Sequence, residues 1–138
     1  MNFYPPHPSS TTAVLKHLQV LLVEDEPDIA DLFTFILEAG GAKVVLAVSA
    51  QEGLDQLLRF QPDILICNLR LPDHDGVWLL HQLRSQGLSQ QRLPAIAVTS
   101  FTREVLSQDA LAAGFQSFLA KPLDPDDLVE AVLQVTAG

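Results

Sequence analysis

Five short apolar runs, each followed by a stretch of helical character, constrain the fold of this 138-residue chain more than any other feature. They are LQVLLV (Leu18 to Val23), KVVLA (Lys43 to Ala47), DILICN (Asp63 to Asn68), AIAVT (Ala95 to Thr99) and QSFLA (Gln116 to Ala120). Runs of this length without polar alternation describe strands covered on both faces, as in a parallel sheet. The intervening segments supply the covers. Pro27 fits a first helical turn, Ile29, Leu32, Phe33 and Ile36 recur at helical spacing, and Gly40-Gly41 ends the helix. Ser49 and Glu52 form a capping box for a helix carrying Leu54, Leu57 and Leu58, which stops before Pro62. Val77, Leu79, Leu80 and Leu83 follow Gly76 in a third helix. Thr102 caps a fourth, running through Val105, Leu106, Ala110 and Leu111 to Gly114. Asp124 caps the last, with Pro125 at its first position, Asp126 and Asp127 at its positive end, and Leu128, Ala131, Val132 and Val135 as its core stripe. Right-handed crossovers turn this alternation into an α/β fold, a three-layer, doubly wound, five-stranded parallel sheet with helices on both faces.

The length and the 48% hydrophobic content suit one domain with a substantial core. Residues 1–17, rich in Pro, Ser and Thr, read as a flexible leader, and residues 18–138 as the domain. Seventeen acidic against 8 basic residues give a formal charge of −9, which argues against nucleic acid or an anionic membrane as partner. No apolar run is long enough to span a bilayer and the N-terminus lacks a signal-peptide pattern, so the expected location is the cytoplasm. The lone cysteine, Cys67, lies in an apolar strand, where a small buried hydrophobe is expected. His7, His17, His74 and His81 have no ligand spacing.

In a doubly wound sheet, ligands bind beyond the C-terminal ends of the strands. Those ends carry Glu24-Asp25-Glu26, Asn68, Thr99-Ser100 and Lys121-Pro122. Adjacent carboxylates suit a hard cation such as Mg²⁺, and a hydroxyl with a lysine suits the oxygens of a phosphoryl group. Taken singly, each is commonplace: loop acids are usually solvated, and a strand-end Thr is often a cap.

Together they resemble the receiver domain of bacterial two-component response regulators, over about 120 residues from Leu18 onward. The acidic pair is Glu24-Asp25; Pro62-Asp63, Pro72 and Asp75-Gly76 flank the third strand as in that family; Thr99 is followed by the small Ser100; and Lys121-Pro122 follows the fifth strand. The resemblance implies sheet order 2-1-3-4-5, a cis Lys121-Pro122 peptide, and an aromatic switch position at Phe118. It also implies that phosphate enters on an aspartate where this chain has Asn68. A neutral amide is a far poorer nucleophile than a carboxylate, so ordinary aspartyl phosphorylation is expected to fail. With one of three converging charges gone, Mg²⁺ is expected to bind weakly, without any organic cofactor, and Lys121 is expected to lose its ionic partner. The Asn68 amide can instead donate to Glu24 or Asp25. Phe118 packs but lacks the hydroxyl of the tyrosine often found there.

Three readings of Asn68 follow: a natural pseudo-receiver acting through protein contacts, a working receiver with an engineered substitution, or transfer to another acceptor such as Asp73 or Ser100. The first is preferred. A receiver's output is a change of contacts and not a released product, so the chain is not expected to be an enzyme. The resemblance implies a sensor histidine kinase or another receiver as partner. It places the contact on the face of the fourth helix, fifth strand and last helix, and allows a homodimer there. Val129 and Leu133 lie off the last helix's core stripe on that side. Trp78 reads equally as a partner anchor or a packed rim residue. From other classes, Glu24 with Asp73-His74-Asp75 faintly resembles a Toprim Mg²⁺ site for nucleotidyl transfer, but Thr99 and Lys121-Pro122 then go unexplained. A flavin site is disfavoured because EDEPD would repel a phosphate.

Overall fold

The computed structural model describes residues 14–100 and 111–137. The order is β1 (Gln19–Val23), α1 (Pro27–Ala39), β2 (Lys43–Ala47), α2 (Ala50–Leu57), β3 (Ile64–Asn68), α3 (Gly76–Ser85), β4 (Ala95–Thr99), β5 (Ser117–Ala120) and α4 (Pro125–Thr136). The strands form one parallel sheet in the order β2-β1-β3-β4-β5. This is the topology expected from the sequence. Most of the predicted fourth helix, including Thr102, Val105, Leu106 and Ala110, lies outside the described residues; 111–113 are helical.

Alternate residues of each strand feed two cores, as the two-residue pleat requires. Leu21, Val23, Leu65, Cys67, Ala95 and Ala97 meet Leu79, Leu80 and Leu83 of α3 and Ala50 of α2. Val20, Leu22, Ile64, Ile66, Ile96 and Val98 meet Phe33 and Leu37 of α1 and Leu128 and Val132 of α4. β1, β3 and β4 lie inside the sheet, so their apolar residues are buried on both sides.

Three local expectations change. On α1 the buried stripe is Ala30, Phe33, Ile36 and Leu37, and Leu32 is exposed because it lies about 100° from Phe33 around the helix. α2 ends at Leu57, so Leu58 falls at its C-cap and projects into solvent. Residues 14–17, the end of the expected leader, form a turn tied to the domain. Leu15 is fully buried, and its N–H donates to the Gly40 carbonyl at 2.7 Å. Gly40 has no room for a side chain, since a Cβ there would stand 2.7 Å from Leu15 Cδ1. Residues 1–13 lie outside the described set. Among the described residues, no helix is long and apolar enough to cross a membrane.

Candidate functional site

The strand register brings the chemical residues to one edge. Val23 pairs with Ala47 and Cys67, Asn68 with Val98, and Thr99 with Ala120. The residues that follow therefore leave the sheet at one level. Backbone bonds hold them there: Glu24 N–H to Ala47 O at 2.9 Å, Leu69 N–H to Val98 O at 3.1 Å, and Lys121 N–H to Thr99 O at 2.7 Å.

Glu24 is the centre of the cluster and only 1% exposed. Its Oε1 takes an ion pair from Lys121 Nζ at 2.7 Å. Its Oε2 accepts from Asn68 Nδ2 at 3.0 Å and from the Glu26 N–H at 3.2 Å. Asn68 Nδ2 also reaches Asp25 Oδ1 at 3.3 Å, and Asn68 Oδ1 accepts from the Arg70 N–H at 3.4 Å. Lys121 reaches Glu26 Oε1 as well, at 3.5 Å. Burial makes the contacts of Glu24 count, because an unmatched charge there would be costly.

Asn68 thus places its amide as the sequence suggests. The expectation that Lys121 loses its ionic partner does not hold. The buried Glu24 takes that role, with Glu26 at the rim. Glu26 was not singled out in the sequence, because nothing local tells which of three consecutive acids faces the lysine. Thr99 is buried at the end of β4, Ser100 beside it is exposed, Phe118 is half-buried against the α2/α3 core, and Pro122 is exposed after a cis Lys121-Pro122 bond.

Both Glu24 oxygens are already engaged, and position 68 turns amide protons toward the two carboxylates. The groups placed to hold a cation here are the Glu24 and Asp25 carboxylates and Asn68 Oδ1. Among the described residues, no group of three or more His, Cys, Asp or Glu is gathered as metal ligands.

The loop after β3 is fastened at two points. Asp73 accepts from the N–H groups of Ala50 and Gln51 at 2.9 Å each, at the start of α2. Slight desolvation pushes its carboxyl up, but the backbone donors of Gln51, Ala50, His74 and Asp73 outweigh this and hold it down at about 2. Asp75 caps α3 through the Trp78 N–H at 2.7 Å. Both acids of Asp73-His74-Asp75 are thereby used as helix caps, which leaves the Toprim pairing without its second acidic motif. Trp78 is half-buried, packs on the α2/α3 core and stacks on His74, with ring centroids 3.7 Å apart. Burial pushes the Cys67 thiol far up, with Glu24 and Asp75 adding to the effect, so it stays protonated and inert.

Arg84 has a role that no local sequence pattern marks. Its guanidinium donates to the Leu88 and Leu93 carbonyls at 2.9 Å and to Gly114 O at 3.1 Å, joining the end of α3 to the segments before β4 and β5.

A five-stranded parallel sheet with an acid, an amide and a lysine clustered at the ends of its first, third and fifth strands is the arrangement of a receiver-type signalling domain. The chain belongs to the response regulator receiver domain family, whose family model matches residues 20–133. It is 40% identical over 120 residues to an uncharacterised 14.6 kDa protein encoded in the sodA1 3′ region of Leptolyngbya boryana, covering 87% of this chain and 91% of that one. It is 33% identical over 118 residues to the response regulator Rre1 of Synechocystis, covering 85% of this chain but only 50% of Rre1. Among solved structures it is similar to a CheY-like response regulator receiver domain protein from Methanospirillum hungatei, with TM-score 0.79, 28% identity, and coverage of 87% and 94%.

Proposed function

We propose that this receiver domain signals without aspartyl phosphorylation, as a pseudo-receiver read by protein contact. The observation that carries this is the Asn68 amide, which bonds Glu24 and Asp25 from the position where the family presents a nucleophilic carboxylate. An amide there neither attacks phosphorus usefully nor completes a triad of metal-binding charges. The cluster satisfies itself through Lys121 and Asn68, so Mg²⁺ is weak and optional. Asp73 is a poor substitute acceptor, since backbone donors already hold its oxygens. The partner on this reading is a sensor histidine kinase or a second receiver. Contact runs through the side of the domain formed by β5 and α4, where Phe118 and Val129 are half-buried and Leu133 is exposed.

Incubation with acetyl phosphate and Mg²⁺, followed by intact mass, tests the proposal. The unmodified chain is expected to gain no phosphoryl adduct, and Asn68→Asp to gain one. A stoichiometric adduct on the unmodified chain overturns it.

A further inference from the structure

At the end of the sheet opposite the Asn68 cluster lies an open cleft of about 520 Å³. Four of the residues that line it, Leu18, Asp63, Pro94 and Gln116, stand immediately before β1, β3, β4 and β5. The parallel strands therefore enter the sheet around it. Its volume is that of a site for a small molecule.

Backbone bonds fix what the cleft offers. Asp63 Oδ2 accepts from the Gln19 N–H at 2.7 Å, which leaves Oδ1 as an acceptor. Gln116 Oε1 accepts from the Ala95 N–H at 3.3 Å, which leaves its Nε2 as a donor. Gln90 Nε2 donates to the Gly114 carbonyl at 3.0 Å, which leaves its Oε1 as an acceptor. Arg92 lines the same cleft. Single exposed charges are ordinary and merely solvated. Here an acid and a base line one cleft, yet among the described residues neither Asp63 nor Arg92 makes an ion pair. Each is left to a ligand group of opposite sign.

We propose that this cleft binds a small zwitterion, an α-amino acid with an apolar side chain. The carboxylate meets Arg92 and Gln116 Nε2, and the ammonium meets Asp63 and Gln90 Oε1. The apolar side chain rests on Leu18, Pro94 and Val135. α4 ends at the cleft with no Lys or Arg in its last turn, so its negative dipole end favours the ammonium further. A ligand with only one of the two charges leaves either Asp63 or Arg92 unmatched. The site lies apart from the β5 and α4 side proposed for protein contact and does not depend on the reading of Asn68.

Amide NMR of the full chain, titrated with L-leucine, isocaproate and isoamylamine, provides the test. Isocaproate lacks the ammonium of leucine, and isoamylamine lacks its carboxylate. Leucine is expected to shift the signals of Asp63, Gln90 and Gln116 saturably, with Kd of about 1 mM. Each of the other two is expected to bind at least about tenfold more weakly. Arg92→Gln and Asp63→Asn should each weaken leucine binding at least about tenfold while the remaining signals stay those of the folded domain. Arg59→Gln, which removes an exposed arginine outside the cleft, should leave it unchanged. Equal binding of leucine and either one-charge ligand, or equal binding by the Arg92 and Arg59 variants, overturns the proposal. So does the absence of any shift at about 10 mM leucine.

Discussion

Replacing a carboxylate by an amide at position 68 changes one charge and almost no volume. The consequence falls on Lys121, whose side chain is 8% exposed and depends on Glu24 for a counter-charge. The pair is mutually necessary: neither charge is tolerable alone at that burial. Lys121→Ala is therefore expected to lower stability by about 3 kcal/mol, because it leaves Glu24 buried with only the Asn68 amide and the Glu26 N–H. Urea unfolding checks this, and Glu24→Gln combined with Lys121→Met should recover much of the loss. At this scale the sequence was partly readable. The types at positions 24, 25, 68 and 121 were enough to anticipate the amide's partners. Lys121's partner was not, because choosing among Glu24, Asp25 and Glu26 needs the direction in which the chain leaves β1.

Between residues and fold, the loop from β3 to α3 behaves as a strap with two fixed ends. Asp75 holds α3, Asp73 holds the start of α2, and Gly76 lets the strap pass close to β3, where a Cβ would come within 2.7 Å of the Asn68 carbonyl. The Asp73 carboxyl is held at about 2, against about 3.9 for an unfolded aspartate. A depressed folded value contributes stability that is present above about pH 4 and lost as pH falls toward 2. Asp73→Ala should cost about 1 kcal/mol at pH 7, with solvent screening at this exposed site keeping it small. The difference from wild type should narrow as pH drops from about 4 to about 2, as read from urea midpoints. Caps such as Ser49 and Asp124 were legible because cap and helix are neighbours in sequence. Asp73 was not, since its target lies 23 residues away. Leu32 and Leu58 show the other limit: an apolar residue near a helical stripe reads as core until the helix phase and end are fixed.

For the molecule as a whole, the sheet order was legible from the receiver resemblance and the layers from the continuous apolar strands, whereas the packing of Leu15 onto the domain was not. Leu15 follows the Ser-Ser-Thr-Thr-Ala run and precedes the first strand, so composition alone does not separate it from the leader. It nonetheless closes the core shared by α1 and α4, sitting against Gly40 where α1 ends. Gly40 can approach so closely because it has no Cβ, and the Leu15 N–H to Gly40 O bond fixes the contact. A chain beginning at Leu18 should therefore be less stable than one beginning at Val14, by about 3 kcal/mol, the cost typical of removing a fully buried leucine. Urea unfolding of the two truncations measures this directly. Leu15→Ala in the full chain separates packing from backbone: if side-chain burial dominates, it reproduces most of the loss. If instead the point variant is nearly neutral while the truncation is not, the Gly40 hydrogen bond carries the effect, and the domain boundary is set by backbone pairing.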